Sequence, residues 1–357
     1  MPSCSAAGAV AVTSSPVLLC GYYGEHNLGD DALLEALLAQ LPGHVTPLVT
    51  AHDQEEVQRR HGVATVPRRR LGSVLAALGH CRALVLGGGS LLQDSTSFKS
   101  LLYYLSLICW ARLRGVPVLL WAQGLGPLRR RRSRLLVRCV LPLISGITWR
   151  DPASAQLGRR LGVDAPYGAD AVWSLPQQPW LGAGGPIVVC WRRTALLDVD
   201  AWRRLSAALE LLAERHDREV LWLPFHRQQD VGLLEELVQK GLIGETLQRR
   251  SRELVADQPQ EAMAVFRSAG LVVAMRLHAW ILAALSGSPV SALSYDPKVQ
   301  ACAAAFGCSC LDLADPVPSA SDLCSVWSDA LDQPPSSSVL QDQQRSTAVH
   351  RALLQQL

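Results

Sequence analysis

Short apolar runs alternate with amphipathic stretches along nearly the whole chain. Residues 17–21, 83–86, 116–122 and 146–149 read as strands, and helical spacing fills 31–41, 97–113, 135–144 and 152–161. Asp151 is placed to cap a helix that starts at Pro152, a residue suited to the first helical position. The pattern stops across 174–186, where Pro and Gly crowd together as in a linker. It then resumes, with strands at 187–191, 219–224, 271–274 and 290–293 and helices at 199–216, 231–240, 259–268, 279–286 and 299–306. A second linker at 334–338 precedes a polar helix at 340–357, which either packs back on the body or stays mobile. Strands separated by helices imply parallel sheets with right-handed crossovers. The expected architecture is therefore α/β, with two Rossmann-like domains facing across a cleft: 15–175, 186–330, and a linker with C-terminal helix at 331–357.

Composition narrows this picture. A chain of 357 residues, 49% hydrophobic and 18% charged, describes a globular protein with large cores. A net charge of +3 gives no sign of a nucleic-acid binder. Lysine occurs only at Lys99, Lys240 and Lys298, so Lys298 stands out. The ten cysteines form no C-x-x-C pair, and Cys308-Ser-Cys310 is too tight for a usual zinc hairpin. A reducing cytoplasm and no structural metal are expected. Residues 1–14 lack the basic start and apolar core of a signal peptide, and the apolar stretch 101–111 is too short to span a membrane.

Candidate chemistry sits where strands end. An apolar run closes on Arg276-Leu277-His278 and an apolar helix begins at once. Open α/β sheets bind ligands at such turns, and a helix N-terminus favours an anion. Arg276 either contacts an anion or braces the turn in a salt bridge. His278 is either a proton-transfer group or a helix-start histidine bonded to backbone. After the next strand comes Tyr295-Asp296-Pro297-Lys298, so Lys298 can converge on the same edge.

The first half holds Gly21-Tyr22-Tyr23-Gly24-Glu25-His26-Asn27-Leu28-Gly29-Asp30-Asp31, which is not a dinucleotide fingerprint. Asn27, Asp30 and Asp31 could cap a helix or bind sugar hydroxyls, and His26 reads as a polar loop residue. Gly87-Gly88-Gly89-Ser90 lets backbone amides approach a ligand or simply makes a tight turn. Arg150, after a strand, is either held by Asp151 or another acid or forms a clamp on a carboxylate or phosphate. Arg192, Arg193 and His226 line the cleft or serve only their loops. The run Arg129–Arg134 is a solvated face or a contact for anionic lipid or a polyphosphate-linked glycan.

Taken in order, these segments resemble the polysaccharide pyruvyl transferase family. The matching pieces are Gly21-Tyr-Tyr-Gly24, Asn27-Leu-Gly-Asp-Asp31, Gly87-Gly-Gly89, Gln123-Gly-Leu-Gly-Pro127, Trp149-Arg-Asp151, Gly168-Ala-Asp170, Arg276-Leu-His278 and Tyr295-Asp-Pro-Lys298. They span roughly residues 17–310, and the likeness is to bacterial members acting on cell-wall or exported glycans. The resemblance implies a GT-B-like fold and transfer of pyruvate from phosphoenolpyruvate onto two hydroxyls of one sugar, without metal or cofactor. It implies His278 as the catalytic acid/base, and Arg150, Lys298 and, more weakly, Arg276 as donor-binding cations. Asn27, Asp30, Gly88, Gly89 and Asp94 are the expected acceptor contacts. The implied partners are phosphoenolpyruvate and a glycan that is free or lipid-linked. The implied location is cytoplasmic, with peripheral contact at the inner membrane face as an alternative. Two rival readings stand beside this one: a nucleotide-sugar-dependent GT-B glycosyltransferase, and a non-catalytic glycan-binding protein.

Overall fold

The computed structural model describes residues 15–357 except Thr96, Asp296 and the side chain of Pro297. The expectation about residues 1–14 lies outside the described residues. Among the described residues twelve strands form two six-stranded sheets whose recorded pairings are all parallel. The first contains β1 (Val17–Tyr23), β2 (Pro47–Ala51), β3 (Ala64–Pro67), β4 (Ala83–Gly87), β5 (Val118–Gln123) and β6 (Gly146–Trp149), in the order β3-β2-β1-β4-β5-β6. The second contains β7 (Ile187–Cys190), β8 (Val220–Trp222), β9 (Ser251–Glu253), β10 (Leu271–Ala274), β11 (Val290–Ser294) and β12 (Cys310–Asp312), in the order β12-β11-β10-β7-β8-β9. Both sheets are thus doubly wound, and each reverses direction beside its first strand. Those switch points, β1/β4 and β7/β10, open a crevice at the carboxyl edge of each sheet.

The central strands are the ones with unbroken apolar runs. Every residue of β4, β5, β10 and β11 is buried. The edge strands β3, β9 and β12, and β2 next to an edge, leave no clear pattern, because they are short and partly exposed.

The two sheets are joined by one apolar core. It runs from the helix Leu28–Gln40 through Trp173 to the helices Pro259–Phe266 and Leu277–Leu285. Trp173 stacks on Phe306 at 5.3 Å between ring centres and meets Trp280 edge-on at 6.1 Å. Backbone also crosses between the units: Leu28 N–H donates to Phe225 O (3.0 Å) and Arg227 N–H to His26 O (2.9 Å). The floor between the sheets is therefore packed, which confines free space to the polar loops above it.

The expected C-terminal helix is two helices, Ser337–Ser346 and Ala348–Leu354, broken at Thr347. The second packs on the first sheet, and the first lies against the turn Ala171–Ser174. Buried His350 bonds Thr148 Oγ1 (2.9 Å) and Ala169 O (2.8 Å), which ties the end of the chain to β6. The expected helix at 231–240 is found at Leu233–Gln239, preceded by a separate short helix, Arg227–Asp230, with Gly232 in the left-handed region between them. Among the described residues no helix is long and apolar enough to cross a membrane. The described cysteines are all free thiols.

Candidate functional site

A cavity of about 180 Å³ opens where the carboxyl edges of the two sheets meet. The loop after β1 contributes Asn27, the turn after β4 contributes Ser90, and Arg150 follows β6 directly. From the second sheet come Phe225 after β8, Arg276, Leu277 and His278 after β10, and Tyr295 and Lys298 after β11.

The cations are arranged around one hydroxyl. Arg150 Nη2 donates to Ser90 Oγ at 2.9 Å, and Lys298 Nζ donates to the same oxygen at 2.8 Å. Two positive charges from opposite units thus lie within about 6 Å of each other, where like charges repel appreciably. Arg150 is buried and also reaches Asp170 Oδ2 (Nη1, 3.2 Å) and Asp151 Oδ2 (Nε, 3.5 Å). Gly124 makes room for it: a Cβ there would lie 2.8 Å from Arg150 Nη2 and 2.5 Å from Ser90 Oγ.

Asp170 is the pivot of the site. Its Oδ2 faces both Arg150 Nη1 and, at 3.5 Å, His278 Nε2. The second contact has ion-pair distance without being a well-formed hydrogen bond, and among the described residues Nε2 has no other partner. Burial works against charge on Asp170. His278, Arg150 and the Val172 N–H outweigh it and hold the carboxyl well below the usual carboxylate range. Asp170 is therefore a fixed anion beside the imidazole. On its other side His278 presses against the first turn of helix Leu28–Gln40. A Cβ on Gly29 would fall 2.2 Å from His278 Nδ1, so only glycine admits the ring there.

Arg276 lines the cavity but is held in a two-pronged pair with fully buried Asp230, Nε to Oδ2 at 3.0 Å and Nη2 to Oδ1 at 2.6 Å. Asp230 also accepts from the Phe225 and His226 amides, so Arg276 braces the turn. Asn27 caps the helix through Gly29 N–H (3.2 Å), and its amide bonds Asp30. Withdrawal from water raises the Asp30 carboxyl to about 6, against the pull of His278, Arg68, Arg276 and Arg150.

Gly88 and Gly89 both adopt φ of +69°, which the turn after β4 requires. Their carbonyls serve the fold, accepting from Gln123 Nε2 (2.7 Å) and Gly124 N–H (2.7 Å). Like Asp30, which sits behind Asn27, Asp94 does not line the cavity. Its two oxygens accept from the Arg129 and Arg130 amides at 2.7 and 2.9 Å, stitching the loop after β4 to the loop after β5. His26 lies outside the cavity too, between Asp53 (3.4 Å) and Glu56 (3.2 Å). Asp31 pairs with Arg60 at 3.2 Å. Arg192 stacks over Tyr295 at 4.9 Å, and Arg193 pairs with Glu236. Sequence reasoning had not singled out Ser90 and Asp170 as site residues, although Ser90 directly follows the three glycines and Asp170 closes the Gly168-Ala-Asp170 segment.

Comparison with known proteins places this arrangement in context. UDP-N-acetylglucosamine 2-epimerase from Rickettsia bellii superposes with a TM-score of 0.58 at 9% identity, covering 96% of this chain and 95% of that one. Anabaena Alr3699/HepE in complex with UDP and glucose gives 0.57 at 14%, covering 96% and 98%. Acinetobacter baumannii MurG gives 0.53 at 11%, covering 96% and 100%. At such identities the likeness is one of fold, and it is the GT-B arrangement of glycosyltransferases and epimerases. No curated protein matches the chain at a significant level. A family model does match, across residues 27–297, which takes in the loops that carry Asn27, Ser90, Arg150, Asp170, Arg276 and His278. The chain belongs to the polysaccharide pyruvyl transferase family.

Proposed function

We propose that the protein transfers pyruvate from phosphoenolpyruvate to two hydroxyls of one sugar in a glycan, forming a cyclic ketal and releasing phosphate. The observation that carries this is the pair Arg150 and Lys298, bridged by Ser90 Oγ in a small cavity beside His278. Two cationic side chains meeting at one hydroxyl bring N–H donors from both units to one point, where a carboxylate or phosphate can accept from both. The donor is a small molecule carrying a carboxylate and a phosphate. A volume of about 180 Å³ suits it better than a nucleotide sugar, since sites for larger ligands usually span about 300–1,000 Å³.

In this reading one sugar hydroxyl bonds to C2 of the donor while C3 takes up a proton and becomes a methyl group. The C2–O bond to phosphate then breaks, and the second hydroxyl bonds to C2 and closes the ring. His278 moves the protons among the hydroxyls, C3 and the departing phosphate. Asp170 stabilises the imidazolium whenever His278 carries the proton. Arg150 and Lys298 hold the charge that develops on phosphate. The first unit, 15–175, takes the acceptor through Asn27 and Asp30. The second, 186–330, takes most of the donor.

Phosphoenolpyruvate is expected to raise the melting temperature by a few degrees at saturation, whereas a sugar nucleotide leaves it unchanged. Stabilisation by the sugar nucleotide alone would favour a glycosyltransferase. Glycan binding without turnover of either donor would favour a binding protein.

Asp30 gives the acceptor side its own test. As a carboxylate it accepts hydrogen bonds from sugar hydroxyls, and as an acid it loses that capacity. With its pKa at about 6, KM for the acceptor is expected to rise as pH falls through that value, by up to about tenfold per unit. Asp30→Asn should remove this acid limb from the KM profile. A limb that persists in the variant would take Asp30 out of acceptor binding.

A further inference from the structure

Between Asp94 and Asp151 the chain carries no aspartate or glutamate, but it has nine arginines and Lys99. Six of those arginines lie between Arg129 and Arg138, and none forms an ion pair with a carboxylate among the described residues. In a chain of net charge +3 this is a strong local excess. The nearest acid, Asp94, is occupied with the Arg129 and Arg130 amides. A face that serves only solubility usually interleaves both signs of charge.

The helix Arg131–Val140 divides cleanly. Ser133, Val137 and Val140 face the core, while Arg131, Arg134, Leu135 and Arg138 face outward. Leu135 is 63% exposed among those arginines. The neighbouring helix Phe98–Leu113 adds Leu102, which is 42% exposed, and Phe98, whose ring lies under Arg130 and Arg132 at 5.4 and 4.1 Å. Cations ringing exposed leucines match the interface of an anionic bilayer, where phosphates sit above acyl chains. A soluble polyanion would make use of the arginines and leave the leucines in water.

The face also lies beside the cavity. Both helices start at the carboxyl edge of the first sheet, after β4 and β5. Ser90 in the cavity and Asp94 under the arginine run are four residues apart, a span of at most about 14 Å.

We infer that this arginine–leucine face docks the protein on an anionic phospholipid surface, with the cavity opening near the headgroups. The inference goes beyond the proposed reaction and does not depend on which donor is used.

The test is sedimentation of the full chain with vesicles of phosphatidylcholine alone or mixed with phosphatidylglycerol. Binding is expected only to the mixed vesicles, falling as salt rises. The variant R131E/R134E/R138E is expected to lose at least about 100-fold in partitioning. Leu135→Asp should weaken binding with every arginine still present. Unchanged melting temperatures and unchanged response to phosphoenolpyruvate would separate these effects from misfolding and from the donor site. No sedimentation with mixed vesicles would overturn the inference, as would equal sedimentation of the triple variant. Insensitivity to Leu135→Asp, with vesicles displaced by a soluble polyphosphate, would make this a polyanion site and overturn it as well.

Discussion

His278→Ala is expected to lower kcat by about 10²–10⁴ while the fold persists, which is the usual contribution of a positioned acid/base group. The fold should tolerate the loss because Asp170 keeps Arg150 as a partner at 3.2 Å. Gly29→Ala reaches the same imidazole from outside. The new methyl would sit 2.2 Å from Nδ1 and 2.8 Å from Cγ, so the ring must swing away. Gly29→Ala should lose activity nearly as far as His278→Ala, and because His278 Cβ also lies 2.9 Å from the new methyl and does not move with the ring, a lower melting temperature should accompany the loss. Steady-state kinetics beside thermal melts would check both. Full activity in either variant would contradict the role given to His278.

Arg150 has the second large effect, of a different kind. Arg150→Ala removes a donor clamp and also strips a buried carboxylate of a partner. Breaking a buried pair from one side costs about 3–5 kcal/mol of stability, so lost activity and a lower melting temperature should appear together. Gly124→Ala separates the two. Its methyl would crowd Ser90 Oγ at 2.5 Å and Arg150 Nη2 and Nε at 2.8 and 2.9 Å, all on side chains that can shift. The expected result is a higher KM for phosphoenolpyruvate with little change in melting temperature. Unchanged KM in Gly124→Ala would mean that the guanidinium does not hold the donor.

The division between legible and illegible features follows physical lines. Central strands such as β4 and β10 are buried on both faces, so their apolar runs are unbroken. β9 and β12 have three residues each and half-exposed side chains, leaving no period to read. At the site, the strand-end positions of Arg150, His278 and Lys298 were readable, because parallel sheets gather such residues at one edge. What a side chain does there was not. Asp94 follows a glycine turn as a sugar ligand would, but its carboxylate is taken up by two amides contributed from 35 and 36 residues along the chain. Position alone leaves Arg276 open between anion clamp and brace, and its pair with Asp230, 46 residues away, supplies the brace. Asp170 and Ser90 gain their importance from distant partners, and no local spacing encodes that. Clean capping signals fared better: Asp151 does cap the helix at Pro152, accepting from Ser154 N–H at 2.6 Å.

The measurement that tests the central claim most directly is the mass of a glycan acceptor after incubation with enzyme and phosphoenolpyruvate, with phosphate counted in the same sample. The predicted result is a mass gain equal to pyruvate less one water, one phosphate released per gain, and neither with His278→Ala. An acceptor unchanged by phosphoenolpyruvate but lengthened by a sugar from a sugar nucleotide would contradict it.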